Sequence, residues 1–298
     1  MIHLSRLILA SVLPLSAFFS ITTVSIVNAQ TPSTCVNGAE TDPDGDGWGF
    51  ENGVSCLVGS GNGNACSDIS YAQLTTALEQ ALAQSNGGLD FAMWATLVDR
   101  SGMVCQVTRA NGLAGDDPWP GSRVISAQKA NTANAFSNRQ LALSTANLYA
   151  PVRDGASLFG LQASNPVDTE VAYRGNASSF GTANDPMRGG RVGGVNVFGG
   201  GVALYNDGDV IGAIGVSGDT SCADHNIAWK LREYLSNDVD YTPSGNGVGG
   251  VGPNSTDDII FDASGGDGND EVDGFEHAAN CPGAPLDFVP NVSLNSDS

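Results

Sequence analysis

Histidine and basic side chains are scarce in this chain. Its 298 residues carry three histidines, and 12 lysines and arginines stand against 32 aspartates and glutamates, a formal net charge of −20. That imbalance argues against nucleic acid and against anionic membrane surfaces as partners. An acidic surface also serves solubility alone, so it identifies no ligand. No C-x-x-C pair occurs among the six cysteines (Cys35, Cys56, Cys66, Cys105, Cys222 and Cys281), and the common zinc spacings are excluded with it. No G-x-S-x-G elbow supports a hydrolytic nucleophile. The glycines from Gly190 to Gly201 precede a strand pattern and do not open a helix, which removes the dinucleotide reading. Only one apolar run, Leu7 to Val27, is long enough to cross a bilayer.

That run follows Arg6 and leads to Val27-Asn28-Ala29, the pattern of a signal peptide (residues 1–29) cleaved near Ala29. A membrane anchor is the alternative, but Pro14 and the small residues before Gln30 favour cleavage. The mature chain is then secreted or periplasmic, and its six cysteines read as disulfides. The favoured pairings are Cys35–Cys56 and Cys222–Cys281, with Cys66 and Cys105 left as partners for each other.

Residues 30–66 are polar, rich in Asp and Gly, and too poor in apolar side chains to form a core. Asp42, Asp44 and Asp46, followed by Gly47, alternate as oxygen ligands do in calcium loops, with Glu51 nearby. The departure is Gly53 at the place of the bidentate glutamate. Trp48 and Phe50 in the same loop would stack on a sugar ring, and a turn-rich linker is the plain alternative.

Residues 67–238 hold the main domain. Ile69, Ala72, Leu74, Leu78, Ala81 and Leu82 recur at helical spacing and stop at Asn86-Gly87-Gly88. Strands are predicted from Phe91 to Val98 and Val104 to Thr108 about a turn at Asp99–Gly102. Ser122 is the expected cap of a helix to about Phe136, whose small residues imply close packing on another backbone. A second helix is expected from Arg139 to Tyr149, then loop over 152–190. Two strand patterns flank the turn Asn206–Asp209, and a helix capped by Ser221, with Asp224 as a capping-box-like partner, runs to Leu235. This order means an antiparallel sheet with helices segregated from it, an α+β fold. Residues 239–298 form an acidic tail with one predicted hairpin beginning at Asp258–Asp262, pinned by Cys281.

A strand that runs into a helix N-terminus offers backbone N–H groups to an anion, which makes Gly215, Ser217 and Gly218 binding candidates. Lys129, in the middle of a small, uncharged helix, needs a carboxylate, a carbonyl cluster or a ligand's acid group; an internal salt bridge or a solvated face is the alternative. Arg123 falls on the opposite side of that helix. His225 would reach a group bound at the glycine loop, or else pack beside Cys222. His277 reads as structural, and Tyr149 and Tyr173 as packed aromatics.

Four motifs stand in a fixed order: Leu97–Gly102, Ala127–Phe136, Phe198–Leu204 and Gly212–Gly218. Together they resemble the GlcG/HbpS-like haem-binding family over about Ser67 to Asp238. Trp119–Ser126 and Gly218–Ala228 look like marks of an exported subgroup with a cysteine-pinned tail. The resemblance implies a profilin-like antiparallel sheet with helices packed on it, haem as cofactor, and assembly into a homo-oligomer. In some members it implies haem breakdown or a sensory role with a membrane sensor as partner. By the same analogy Thr132 is an oxygen ligand, while the family is usually more acidic around His225. The expected function is an exported haem binder for capture or sensing, without hydrolysis. A haem-degrading enzyme is one alternative. The other is a surface structural or adhesive protein that binds calcium or glycan through its N-terminal segment.

Overall fold

Two β-hairpins meet edge to edge at the centre of the chain. The computed structural model describes residues 48–51, 54–57, 63–112, 115, 117–236, 239–260, 274, 275 and 277. In chain order, β1 (Trp48–Glu51) pairs with β2 (Val54–Leu57) in a separate two-stranded ladder. Then come α1 (Ala65–Asp68), α2 (Tyr71–Leu82), β3 (Met93–Asp99), β4 (Val104–Ala110) and α3 (Ser122–Phe136). The short α4 (Leu161–Ser164) and α5 (Thr169–Ala172) lead to β5 (Gly201–Asn206), β6 (Asp209–Ser217) and α6 (Ser221–Leu235). The main sheet is antiparallel with order β4-β3-β6-β5, so the two hairpins join through β3 and β6. The expected α+β architecture is the one observed.

Both faces of the sheet are covered, and β6 is buried along its whole length. Alternate residues of β6 divide between two cores. Ile214 and Val216 pack with Leu74, Leu78, Ile227 and Leu231 of α2 and α6. Ala213 packs with Val124, Ala127 and Ala130 of α3. Period-two alternation in a strand is what permits this division. Gly215 sets the α3 contact: a Cβ there would stand 2.0 Å from the Ser126 carbonyl oxygen and 2.4 Å from the Ala130 nitrogen. The small residues of α3 therefore do serve a close backbone approach, as their composition implied.

Several local expectations need correction. Residues 139–149 form turns and no helix, because their polar side chains bond the backbone of their own segment. Asn138 Oδ1 accepts from the N–H groups of Gln140 and Leu141, and Asn147 Oδ1 accepts from the N–H of Ser144. Such local bonds compete with a helix ladder. Gly121, not Ser122, occupies the cap position of α3, and Thr220, not Ser221, caps α6. Residues 258–260 are not in a strand, and the remainder of the predicted tail hairpin lies outside the described residues apart from Gly274, Phe275 and His277.

Cys66 and Cys105 form a disulfide that ties α1 to β4. Cys222 is also disulfide-bonded, while Cys35 and Cys281 lie outside the described residues. The loop between α3 and β5 is fixed by a buried ion pair: Arg123 donates to Asp185 at 2.9 and 2.5 Å, and its guanidinium lies 3.7 Å from the Phe180 ring centroid.

Candidate functional site

The first turn of α6 is where the sequence concentrates its candidates. Thr220 Oγ1 accepts from the N–H of Ala223, and Asp224 accepts from the N–H of Asp219. Asp219 in turn takes the N–H groups of Leu89 and Phe91 at 2.8 and 3.2 Å. At the strand–helix crossing the chain's own carboxylates and hydroxyl thus take the N–H groups of Asp219, Thr220 and Ala223. Ser217 is buried and paired in register with Trp94. A Cβ on Gly218 would lie 2.4 Å from the Ala92 carbonyl oxygen, so both Gly215 and Gly218 serve packing.

Lys129 is buried in α3 and donates to Asp224 at 2.6 Å and to the Val216 carbonyl at 3.1 Å. Desolvation outweighs the mutual attraction of the pair. Burial pushes the Lys129 ammonium down and the Asp224 carboxyl up to about 6. The glycine loop makes room for this pair: Gly200 has φ +121°, and a Cβ there would approach Lys129 Nζ to 3.1 Å. Thr132 Oγ1 donates to the Gln128 carbonyl and accepts from the N–H of Asn196. Both side chains are buried and bonded within the chain. The internal salt bridge foreseen as an alternative for Lys129 is the arrangement found.

His225 faces the other way, toward the segment after α6. Its side chain is fully buried, and Nε2 lies 3.2 Å from Asp258 Oδ1. The N–H of Ile259 stands 2.7 Å from the same carboxylate oxygen and 3.1 Å from Nε2. Nδ1 has no hydrogen-bond partner among the described residues. A Cβ on Gly199 would meet His225 Cβ at 2.9 Å and the Ser221 carbonyl oxygen at 2.4 Å, so the loop crosses the helix only as glycine. Phe198, beside it, is 47% exposed.

The segment that shields His225 is bound along the same face of α6. Both outer nitrogens of Arg232 donate to Asp257 at 2.7 Å. Asn147 Nδ2 holds the Asp258 carbonyl, and Ile259 packs with Cys222 and Ala146. His277 meets Ser221 Oγ at 3.1 Å and lies against the Tyr149 ring at 4.7 Å. Sequence reasoning missed Asp258 and gave Asp224 only a capping role. The signal for the first was the Asp257-Asp258 pair before Ile259, which reads equally well as the start of a strand.

Of the candidate residues, His225 alone has a side-chain nitrogen without a partner among the described residues, but the ring is fully buried and does not present that nitrogen to a porphyrin. A porphyrin brings four nitrogen donors and needs a single axial ligand from the protein. Among the described residues no group of three His, Cys, Asp or Glu side chains could hold a bare metal ion. An imidazole with no exposed surface meets neither demand in this structure. Asp42, Asp44 and Asp46 lie outside the described residues, and Glu51 is placed only as part of β1. A surface groove of about 270 Å³ between α2 and α6, lined by Gln73, Thr76, Gln80 and Tyr234 among others, contains none of the candidates.

A family model described as "Haem degrading protein HbpS-like" matches residues 69–232. Among solved structures, the chain is similar to Klebsiella pneumoniae protein ORFY, with 25% identity and a TM-score of 0.39 over 57% of this chain and 91% of that one. It is similar to PduOC in a haem complex, with 25% identity and a TM-score of 0.38 over 55% and 91% of the two chains. It is also similar to HbpS, with 18% identity and a TM-score of 0.35 over 57% and 91%. A Streptomyces lividans mannan endo-1,4-beta-mannosidase is 71% identical over 24 residues, which span 8% of this chain and 6% of that protein.

Proposed function

The chain belongs to the HbpS-like family, and from that premise we propose that it is an exported protein that binds haem for capture or sensing, without hydrolytic activity. The match over residues 69–232 carries this reading, because it takes in α2, α3, the whole four-stranded sheet and α6 as far as Arg232. His225, enclosed by Asp258, Ile259 and the glycine loop, is not open to a porphyrin in this structure, so no iron ligand is assigned to it.

The test is a titration of the purified, haem-free protein with haemin, followed by absorption. Binding gives a shifted, sharpened Soret band that saturates. No spectral change up to an excess of haemin overturns the proposal. The family's description as haem-degrading favours a second reading, haem breakdown. Adding a reductant or peroxide to the loaded protein separates the two: a degrading enzyme bleaches the Soret band and yields an open-chain product, whereas a carrier retains its haem.

A further inference from the structure

Trp94 and Trp229 are buried in the main domain, whereas Trp119 leaves 53% of its surface exposed. We propose that Trp119, with Phe91, Arg109 and Asp117 around it, is a platform on which a neutral saccharide ring stacks. The proposal makes no use of haem and stands or falls without it.

The exposed ring is held in place. Pro118 and Pro120 restrict the backbone on either side of it. The Trp119 carbonyl accepts from Trp94 Nε1 at 2.9 Å and from the N–H of Ser122, at the start of α3, at 3.0 Å. The Phe91 and Trp119 rings meet edge to face, with centroids 5.2 Å apart and planes at 62°. Trp94 belongs to β3, so the sheet itself sets where this loop lies. An aromatic side chain fixed before binding loses little freedom when a ligand covers it.

The cation beside it is also available. Most basic side chains of this chain are committed internally: Arg123, Lys129 and Arg232 to buried carboxylates, and Arg174, Arg188 and Lys230 to backbone carbonyls. The Arg109 guanidinium makes no hydrogen bond among the described residues. Its Nη1 lies 3.7 Å from Asp117 Oδ1, and both side chains are exposed. The Arg109 stem rests on Trp94 in room that Gly181 leaves, since a Cβ there would stand 2.8 Å from the Trp94 ring and 2.9 Å from Arg109 Cγ. Trp94 therefore joins the guanidinium, 6.0 Å from its ring centroid, to the loop that carries Trp119. Asp117 precedes Trp119 by two residues, a span of at most about 7 Å.

These parts match one class of ligand. A pyranose has an apolar C–H face that covers an indole, and a rim of hydroxyls that each donate and accept. Arg109 and Asp117 set a donor and an acceptor side by side, which adjacent sugar hydroxyls complement. Stacking of this kind takes place on an open surface and needs no enclosing cavity. The net charge of −20 disfavours an anionic ligand, and Asp117 repels one locally.

Calorimetric titrations of the purified full chain test this with the soluble β-1,4-linked hexaoses of glucose, mannose, xylose and N-acetylglucosamine as probes. At least one should bind, and Trp119→Ala should weaken it about 30-fold, the scale of a lost aromatic anchor. Arg109→Ala should weaken it about threefold to tenfold, as loss of one hydrogen bond does. In the wild type, the assigned indole N–H signal of Trp119 should move on titration while that of buried Trp229 stays, a readout independent of how the variants fold. Binding of none of the probes overturns the proposal. So does a sugar response lost in W48A and kept in W119A, which would put the ligand on the N-terminal segment. A dimer of the free protein that W119A dissolves, with no response to sugar, overturns it too and assigns the surface to a second copy.

Discussion

Asp224 and His225 are neighbours in the first turn of α6, yet they serve two different regions. Asp224 turns inward to α3, where Lys129 and the N–H of Asp219 occupy its two oxygens. His225 turns outward to the tail, where Asp258 and Ile259 engage one ring nitrogen and the other has no partner among the described residues. On the inner side every polar group named here is answered within residues 69–232. On the outer side the partners come from later in the chain, beyond residue 232. The inner region holds two helices to a sheet, and the outer one holds the later segment of the chain to α6.

The largest test of that contrast is Lys129→Ala. It leaves the Asp224 carboxyl buried without its counter-ion, and breaking a buried pair from one side costs about 3–5 kcal/mol. Urea denaturation measures it; a loss below about 1 kcal/mol would show that the inner seam is not what binds α3 to α6.

A pH series sharpens the same point. Burial raises Asp224 from 3.8 to about 6, so the folded chain holds a proton there that the unfolded chain has released. Where the folded state binds more protons, stability falls as pH rises, here between about 4 and 6. Asp224→Asn lacks this titration. Wild type should therefore lose ground to D224N between pH 4 and pH 7, and the opposite trend would mean that Asp224 is ionised throughout.

Thr220→Ala is the smallest change of the three. It removes the cap on the Ala223 N–H and should cost about 1 kcal/mol in thermal or urea melts, typical of a lost N-cap.

Much of the fold was legible because it is local. Strand alternation, the turns at Asp99–Gly102 and Asn206–Asp209, and the apolar spacing of α2 each lie within one short window of sequence. The segment 139–149 misled because Asn138, Ser144 and Asn147 bond nearby backbone, a choice that composition does not reveal. The site was legible only in halves. Lys129 was seen to need a carboxylate, but Asp224 lies 95 residues away. His225 was seen beside the glycine loop, but Asp258 lies 33 residues further on, across the end of the helix. Glycine misled in the other direction: Gly215 and Gly218 look like an open cradle, and the space they leave is taken by α3 and by the approach to β3.

Arg232 is the last residue of the stretch that matches the family, and its partner Asp257 stands 25 positions later. A border drawn by likeness thus cuts between two halves of one clasp. Anyone excising the recognisable portion for expression would sever a guanidinium from its acid and strip the cover from the imidazole beside it. The smallest piece worth preparing ends beyond Ile260, whose carbonyl receives the His277 N–H.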